Sequence, residues 1–140
     1  MADTITQMCG PRMFRTYMDR MTADGFQRLG ISSAIAPYLG EIYHNPGISL
    51  KDLSDLLMVD KAHTTRTVNR MMELGLVEDT AEGHRYSLRL TEKGENAAKE
   101  AKDLIDSAWK NLFKDLTEEE AETLKVIFSK VAKILREESQ

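Results

Sequence analysis

The chain has 140 residues, 41% hydrophobic and 30% charged, with 23 acidic side chains against 19 Lys and Arg and a net charge of −4. That balance excludes a disordered polymer and fits one globular domain, or one domain with helical extensions. No apolar run approaches the roughly 18–20 residues of a membrane span, Met1–Gly10 lacks the basic and apolar regions of a signal peptide, and the single cysteine, Cys9, cannot form an internal disulfide, so a reducing cytoplasm is the expected location.

The first predicted helix runs from Pro11 to Arg28, because Phe14, Tyr17, Met18 and Met21 recur at helical spacing. Gly30 interrupts it. A second helix is expected from Ser33, a good N-cap, with Pro37 in or near its first turn, and it ends at His44 before the breaker Asn45-Pro46-Gly47. Ser49 and Asp52 form an S-x-x-D capping signal ahead of Leu53, Leu56 and Leu57, which reads as a short third helix. Met58 and Val59 make a tight turn. Asp60 then caps a fourth helix, Lys61 to Leu74, which Gly75 ends in a left-handed conformation.

The period then changes. Leu76-Val77-Glu78 is a short strand, and Tyr86, Leu88 and Leu90 alternate with Ser87 and Arg89 as in a half-buried second strand. Residues 79–84 form the polar tip of this hairpin. Thr91 caps a fifth helix carrying Leu104, Ala108 and Leu112 on one face. A capping box from Thr117 to Glu120 opens a sixth with Ile127, Phe128, Val131 and Ile134 at three- and four-residue spacing. The expected fold is mainly α with a small β-hairpin wing: a winged helix-turn-helix over 46–90, flanked by N-terminal helices (1–45) and C-terminal helices (91–140) that serve dimerisation.

Two short helices and a tight turn let the second helix enter a DNA major groove. Thr64, Thr67, Val68 and Met71 share one face of the fourth helix and are expected to pack inward. Lys61, Ala62, Thr65, Arg66 and Asn69 lie on the other face, with His63 and Arg70 at its boundary. Cations mixed with small polar groups suit phosphate and base contacts; the ordinary alternative for such a face is plain solvation. The acidic total argues mildly against nucleic-acid binding, but residues 61–70 hold no acid, and the densest acids lie at Glu118, Glu119, Glu120 and Glu122. His84 and Arg85 sit beside the hairpin tip, where a wing meets the minor groove or its phosphates; Asp79 and Glu82 weaken the field there. A winged helix needs only about half of such a chain, so the apolar stripe of the last helix is expected to pair with a second copy.

His44, His63 and His84 fall on separate elements, with no H-x-x-H, C-x-x-C or H-E-x-x-H, so neither a metal nor a cofactor is expected. There is no glycine-rich phosphate loop and no nucleophile elbow, so the chain is not read as an enzyme.

The run from Leu53 to Glu78, with Val59-Asp60-Lys61, Thr65-Arg66, Arg70 and Gly75-Leu76-Val77-Glu78, followed by Leu90-Thr91-Glu92-Lys93-Gly94, resembles the core of the MarR family of transcriptional regulators. The resemblance covers nearly the whole chain. It implies a homodimer built from the first, fifth and sixth predicted helices and a pseudo-palindromic double-stranded DNA operator. The fourth helix would lie in the major groove and the wing along the adjacent minor groove. Lys61, Thr65, Arg66 and Arg70 match the family's DNA-facing positions, Arg85 matches its wing arginine, and Ser49, Ala62, His63, Asn69 and His84 complete the expected DNA-binding set. The resemblance further implies a repressor released by a small aromatic or phenolic effector, held in a crevice near Arg15 and Ser33. The chain departs from the pattern in a shorter wing, in Gly83-His84-Arg85 where the family carries Asp-Arg-Arg, and in Thr64 and Thr67 at usually aliphatic inward positions, which would loosen the recognition helix.

Two other readings stand beside this one. The chain could be a winged-helix interaction module without sequence-specific DNA binding. It could also be a thiol-based redox regulator using Cys9, which precedes the first helix near Arg12, although Gly10-Pro11 does not look like the peroxide-sensing pattern of the family.

Overall fold

The computed structural model describes residues 2–138, and the chain begins with a helix that the periodicity does not predict, α1 (Ala2–Met8). Pro11 then opens α2 (Pro11–Leu29), where its missing N–H costs nothing. Gly30, at φ 70°, ends α2 in the left-handed region and donates to the Gln27 carbonyl at 3.0 Å. The stripe of Phe14, Tyr17 and Met18 is only half-buried and Met21 is exposed; full burial is reached at Thr22, Gly25 and Phe26.

The next helix starts later than Ser33 predicts. Ser33 lies exposed in a turn, and α3 (Ala36–His44) is preceded by Ile35 in helical conformation with no side-chain cap. Proline sets this boundary: Pro37 occupies the first turn, and the Ile35 N–H is already spent on the Ser32 carbonyl at 3.1 Å. Asn45 ends α3 as expected.

Local capping defines the helix-turn-helix. The Ser49 hydroxyl accepts from the Asp52 N–H at 3.1 Å at the start of α4 (Leu50–Leu57), and Asp60 Oδ1 accepts from the His63 N–H at 2.7 Å at the start of α5 (Lys61–Glu73). The turn between them passes through Met58 at φ 56°, a left-handed conformation rare for a non-glycine residue. Gly75, at φ 74°, follows α5.

The hairpin pairs β1 (Val77–Asp79) with β2 (Leu88–Leu90), antiparallel, with Val77 opposite Leu90 and Asp79 opposite Leu88. The first strand lies one residue beyond the expected one, and Tyr86 is exposed outside the second. Past the Asp79–Leu88 pair the Asp79 side chain replaces a backbone acceptor: its Oδ1 accepts from both Ala81 N–H (3.0 Å) and Ser87 N–H (2.9 Å), which ends the regular ladder short of Tyr86. A third strip joins the sheet: Gly47 N–H donates to Leu88 O at 2.8 Å, and Leu88 N–H donates to Ile48 O at 2.9 Å.

Beyond β2, α6 (Glu92–Leu112) buries a stripe of small residues, Gly94, Ala97, Ala98, Ala101 and Ala108, while Leu104 and Ile105 are half-buried beside it. The Tyr17 hydroxyl of α2 donates to the Ala108 carbonyl at 3.3 Å. The core gathers Phe26, Leu39, Ile42, Leu53, Val68, Met71, Leu76 and Leu88, and burying such side chains contributes roughly 1.5–3 kcal/mol each. The architecture is a winged helix-turn-helix, mainly helical with a small hairpin.

The chain forms two compact units, one ending at Ala108 and one beginning at Trp109. In the second unit Trp109 stacks on Phe113 at 5.4 Å, Phe113 meets Phe128 at 6.3 Å, and α7 (Glu118–Glu138) opens with the reciprocal Thr117–Glu120 capping box. No described residue of α7 is buried; Val126, Ile127, Val131 and Ile134 are each about half exposed.

Candidate nucleic-acid interface

Helix α5 is fixed from within. Thr64, Val68 and Met71 are fully buried, and Thr67 is half-buried rather than wholly inward. The unusual inward Thr64 leaves no polar atom unpaired, because its hydroxyl donates to the Asp60 carbonyl at 3.1 Å. A buried hydroxyl that is paired in this way is spared the penalty of an unsatisfied polar group.

The opposite face is open. Lys61, Ala62, Arg66, Asn69 and Arg70 are exposed, and His63 and Thr65 are half-buried at its edges. Thr65 turns its hydroxyl back to the Lys61 carbonyl at 2.9 Å. Lys61 and Arg66 take part in no ion pair among the described residues, whereas Arg70 Nη1 meets Glu73 Oε2 at 3.1 Å. The two arginines are therefore unequal: Arg66 presents an unshared guanidinium, and Arg70 shares its charge with an acid one turn on, just outside the acid-free run. Ser49 is half-buried and already accepts the Asp52 N–H, which leaves its own O–H to donate outward.

His84 and Arg85 are exposed at the wing tip. Their loop is organised by Asp79 and by Thr80, whose N–H and hydroxyl both reach the Ser87 carbonyl, at 2.9 and 3.1 Å. Arg89 is a further exposed cation on β2, absent from the expected set and directly opposite Glu78. The strand alternation that puts Leu88 inward puts Arg89 outward, which is the signal that could have found it.

The Leu90–Gly94 segment clamps the end of α5. Thr91 donates its hydroxyl to the Gly75 carbonyl at 2.6 Å and accepts from the Gly94 N–H at 3.1 Å, and Lys93 Nζ donates to the Leu74 carbonyl at 2.7 Å. A Cβ at residue 94 would stand 1.9 Å from the Leu76 carbonyl oxygen, so only glycine lets α6 pass this close.

Arg15 and Ser33 are both exposed. Neither lines the largely apolar cavity of about 460 Å³ between α3 and α6, whose walls include Ala36, Gly40, Tyr43, His44 and Ile105. At its edge Lys102 pairs with Asp106, whose hydrogen bond and charge hold the ammonium above the usual lysine range. Cys9 is exposed between α1 and α2. Among the described residues no group of three or more His, Cys, Asp or Glu is placed to hold a metal ion, and no helix is long and apolar enough to cross a membrane.

Residues 29–85, which take in the helix-turn-helix and most of the wing, match the family described as the MarR family. The HTH-type transcriptional regulator BilQ of Clostridioides difficile is 39% identical over 80 residues, 55% of this chain; the match spans 53%, about half, of that relative's length. Among solved structures, a MarR protein from Peptoclostridium difficile superposes with a TM-score of 0.84 at 23% identity, over 96% of this chain and 90% of that one. A MarR family transcriptional regulator from Listeria monocytogenes, solved in complex with a 26mer DNA, gives a TM-score of 0.80 at 22% identity, over 91% and 86%.

Proposed function

We propose that this chain, which matches the MarR family over residues 29–85 and is similar in fold to a solved MarR protein, is a member of that family and a DNA-binding transcriptional regulator that works as a homodimer. One observation carries the reading: α5 is locked to the core by Thr64, Val68 and Met71 and turns Lys61, Arg66 and Asn69 outward, with no acid between Lys61 and Arg70 and Glu73 following in the last turn. A helix held in this way can be laid in a major groove without ordering cost. The Listeria relative of the same fold is complexed with DNA, which supports the same use here.

Residues 46–90 form the DNA-binding region. Lys61, Arg66 and Arg70 take phosphates or guanine edges, Asn69 and Thr65 face bases, Ser49, Ala62 and His63 lie along the groove wall, and His84 and Arg85 reach the minor groove. Residues 1–45 and 91–140 supply the dimer. The half-exposed Ile127, Val131 and Ile134 of α7 are the stripe a second copy would bury, and pairing presents two α5 helices to a pseudo-palindromic operator. The regulator acts in the cytoplasm as a repressor. A small aromatic or phenolic effector releases it by favouring a dimer whose recognition helices no longer match the operator. Arg15 and Ser33 remain the proposed effector contacts.

The test is binding of the full chain to duplex DNA from upstream of its own gene at several salt concentrations. The expected log–log slope is about −0.9 per neutralised phosphate. A flat salt response, or equal affinity for unrelated duplexes, overturns the reading.

A further inference from the structure

Tyr38 on α3 is 3% exposed, and its hydroxyl is the one buried side-chain polar atom among the described residues with no hydrogen-bond partner. Such groups are rare in folded proteins because an unpaired buried hydroxyl lowers stability. Packing alone does not account for it, since phenylalanine would fill the same space at no polar cost. The Tyr38 ring lies against the imidazole of His63, with centroids 6.2 Å apart and planes at 54°. His63 is the third residue of α5. Asp60 holds its backbone N–H at 2.7 Å, and its half-buried side chain sits where the inward face of α5 meets the outward one. An uncharged imidazole carries one acceptor nitrogen and one N–H on different edges of the ring, and the bond made at one fixes the role of the other.

Building on the DNA-binding reading of α5, we infer that Tyr38 is a positioning residue for DNA recognition: its hydroxyl donates to the acceptor nitrogen of His63 when α5 is docked, which aims the opposite ring N–H at a phosphate oxygen. The hydroxyl is unpaired in the free protein and paired on DNA, so the hydrogen bond adds to affinity and not to folding. Tyr38 itself touches no nucleic acid.

The experiment compares wild type, Tyr38→Phe, His63→Ala and the double variant, all as full chains, for binding to the upstream duplex and for thermal midpoint. Tyr38→Phe should melt at or above the wild-type temperature. It should bind about fivefold more weakly, the size of one ordinary hydrogen bond, with its salt slope unchanged because no phosphate charge contact is removed. His63→Ala should lose at least as much, and the double variant should bind no more weakly than His63→Ala alone. Wild-type affinity in Tyr38→Phe, or losses that multiply in the double variant, overturns the inference. Should either variant fold poorly, nitrogen NMR of the His63 ring in the wild-type protein decides: added duplex must convert it to a single tautomer with a hydrogen-bonded acceptor, and an unchanged ring spectrum counts against it. If wild type binds no duplex, the DNA-binding reading falls as well. If wild type binds and only the coupling is missing, the role of Tyr38 alone falls.

Discussion

The hydroxyl of Thr91 donates to the carbonyl oxygen of Gly75 across 2.6 Å, joining the first residue after β2 to the left-handed residue that follows α5. The Thr91 hydroxyl oxygen in turn caps α6 by accepting the Gly94 N–H at 3.1 Å. One side chain therefore ties the turn after α5 to the start of α6. Thr91→Ala should lower stability by about 1–2 kcal/mol, a cap plus a hydrogen bond, and Thr91→Ser should recover most of it. Gly94→Ala should cost more, about 3 kcal/mol, because the new methyl group meets the backbone oxygen of Leu76, which has no rotamer by which to yield. Urea unfolding midpoints of the three variants check the order.

Arg66 and Arg70 are both cations on the outward face of α5, yet only Arg70 is paired with an acid. Arg66→Ala should therefore reduce the salt slope of DNA binding by about 0.9, and Arg70→Ala by less. Glu73→Gln should tighten binding by releasing Arg70 and removing a negative charge near the phosphates. Affinities at two or more salt concentrations distinguish these outcomes.

Asp79 has opposing effects in the wing. Its charge repels phosphate, and its Oδ1 holds the tip loop through the N–H groups of Ala81 and Ser87. Asp79→Asn keeps an acceptor oxygen and should strengthen DNA binding severalfold, since the repulsion is removed and the loop kept. Asp79→Ala should release the loop, with faster proteolysis within residues 80–87 and weaker binding. Limited digestion beside an affinity measurement separates charge from order.

Single charges on the open stripe of α7 should split the proposed dimer. Ile127→Glu and Val131→Glu each place a carboxylate where about half of the side chain already faces solvent, so a lone copy should tolerate them while a paired one pays to desolvate them. Sedimentation should show a shift from dimer to monomer with helix content retained. Variants that sediment as wild type would move the interface elsewhere.

The start of α7 should respond to acid. The backbone N–H of Thr117, and then its hydroxyl, hold the Glu120 carboxyl below the usual carboxylate range. A lowered value in the folded state means the cap stabilises above the ordinary carboxylate pKa and is lost as pH falls through the lowered one. The protection of the Thr117 amide, measured against its intrinsic exchange rate at each pH, should fall on acidification from about pH 5 to pH 3. In Glu120→Gln that protection should change little across the window.

The features legible in the sequence are those decided within a few residues. Ser49, Asp60 and Thr117 cap the helices their side chains announce, and Gly30 and Gly75 take the left-handed conformations that end theirs. Features set by distant partners were not legible. The pairing of Ile48 with Leu88 depends on the fold bringing the loop after α3 beside the wing. Alanines form the buried stripe of α6 because α6 packs closely, and periodicity weights large residues more heavily than small ones. Helix α1 is too short to show an amphipathic stripe. At the candidate site the outward residues of α5 follow from helical spacing alone. The Arg70–Glu73 pair needed the turn beyond the acid-free run, and Tyr38 beside His63 needed the tertiary fold.

Leu88 is stitched on both sides, to Asp79 through the hairpin and to Ile48 and Gly47 through the third strip. The wing is consequently no free flap. Its base behaves like the fixed jaw of a caliper whose other jaw is α5, and only the residues past Asp79 are left to adjust. Duplexes with wider or narrower minor grooves would be accommodated by the tip alone, at an unvarying offset from the recognition helix.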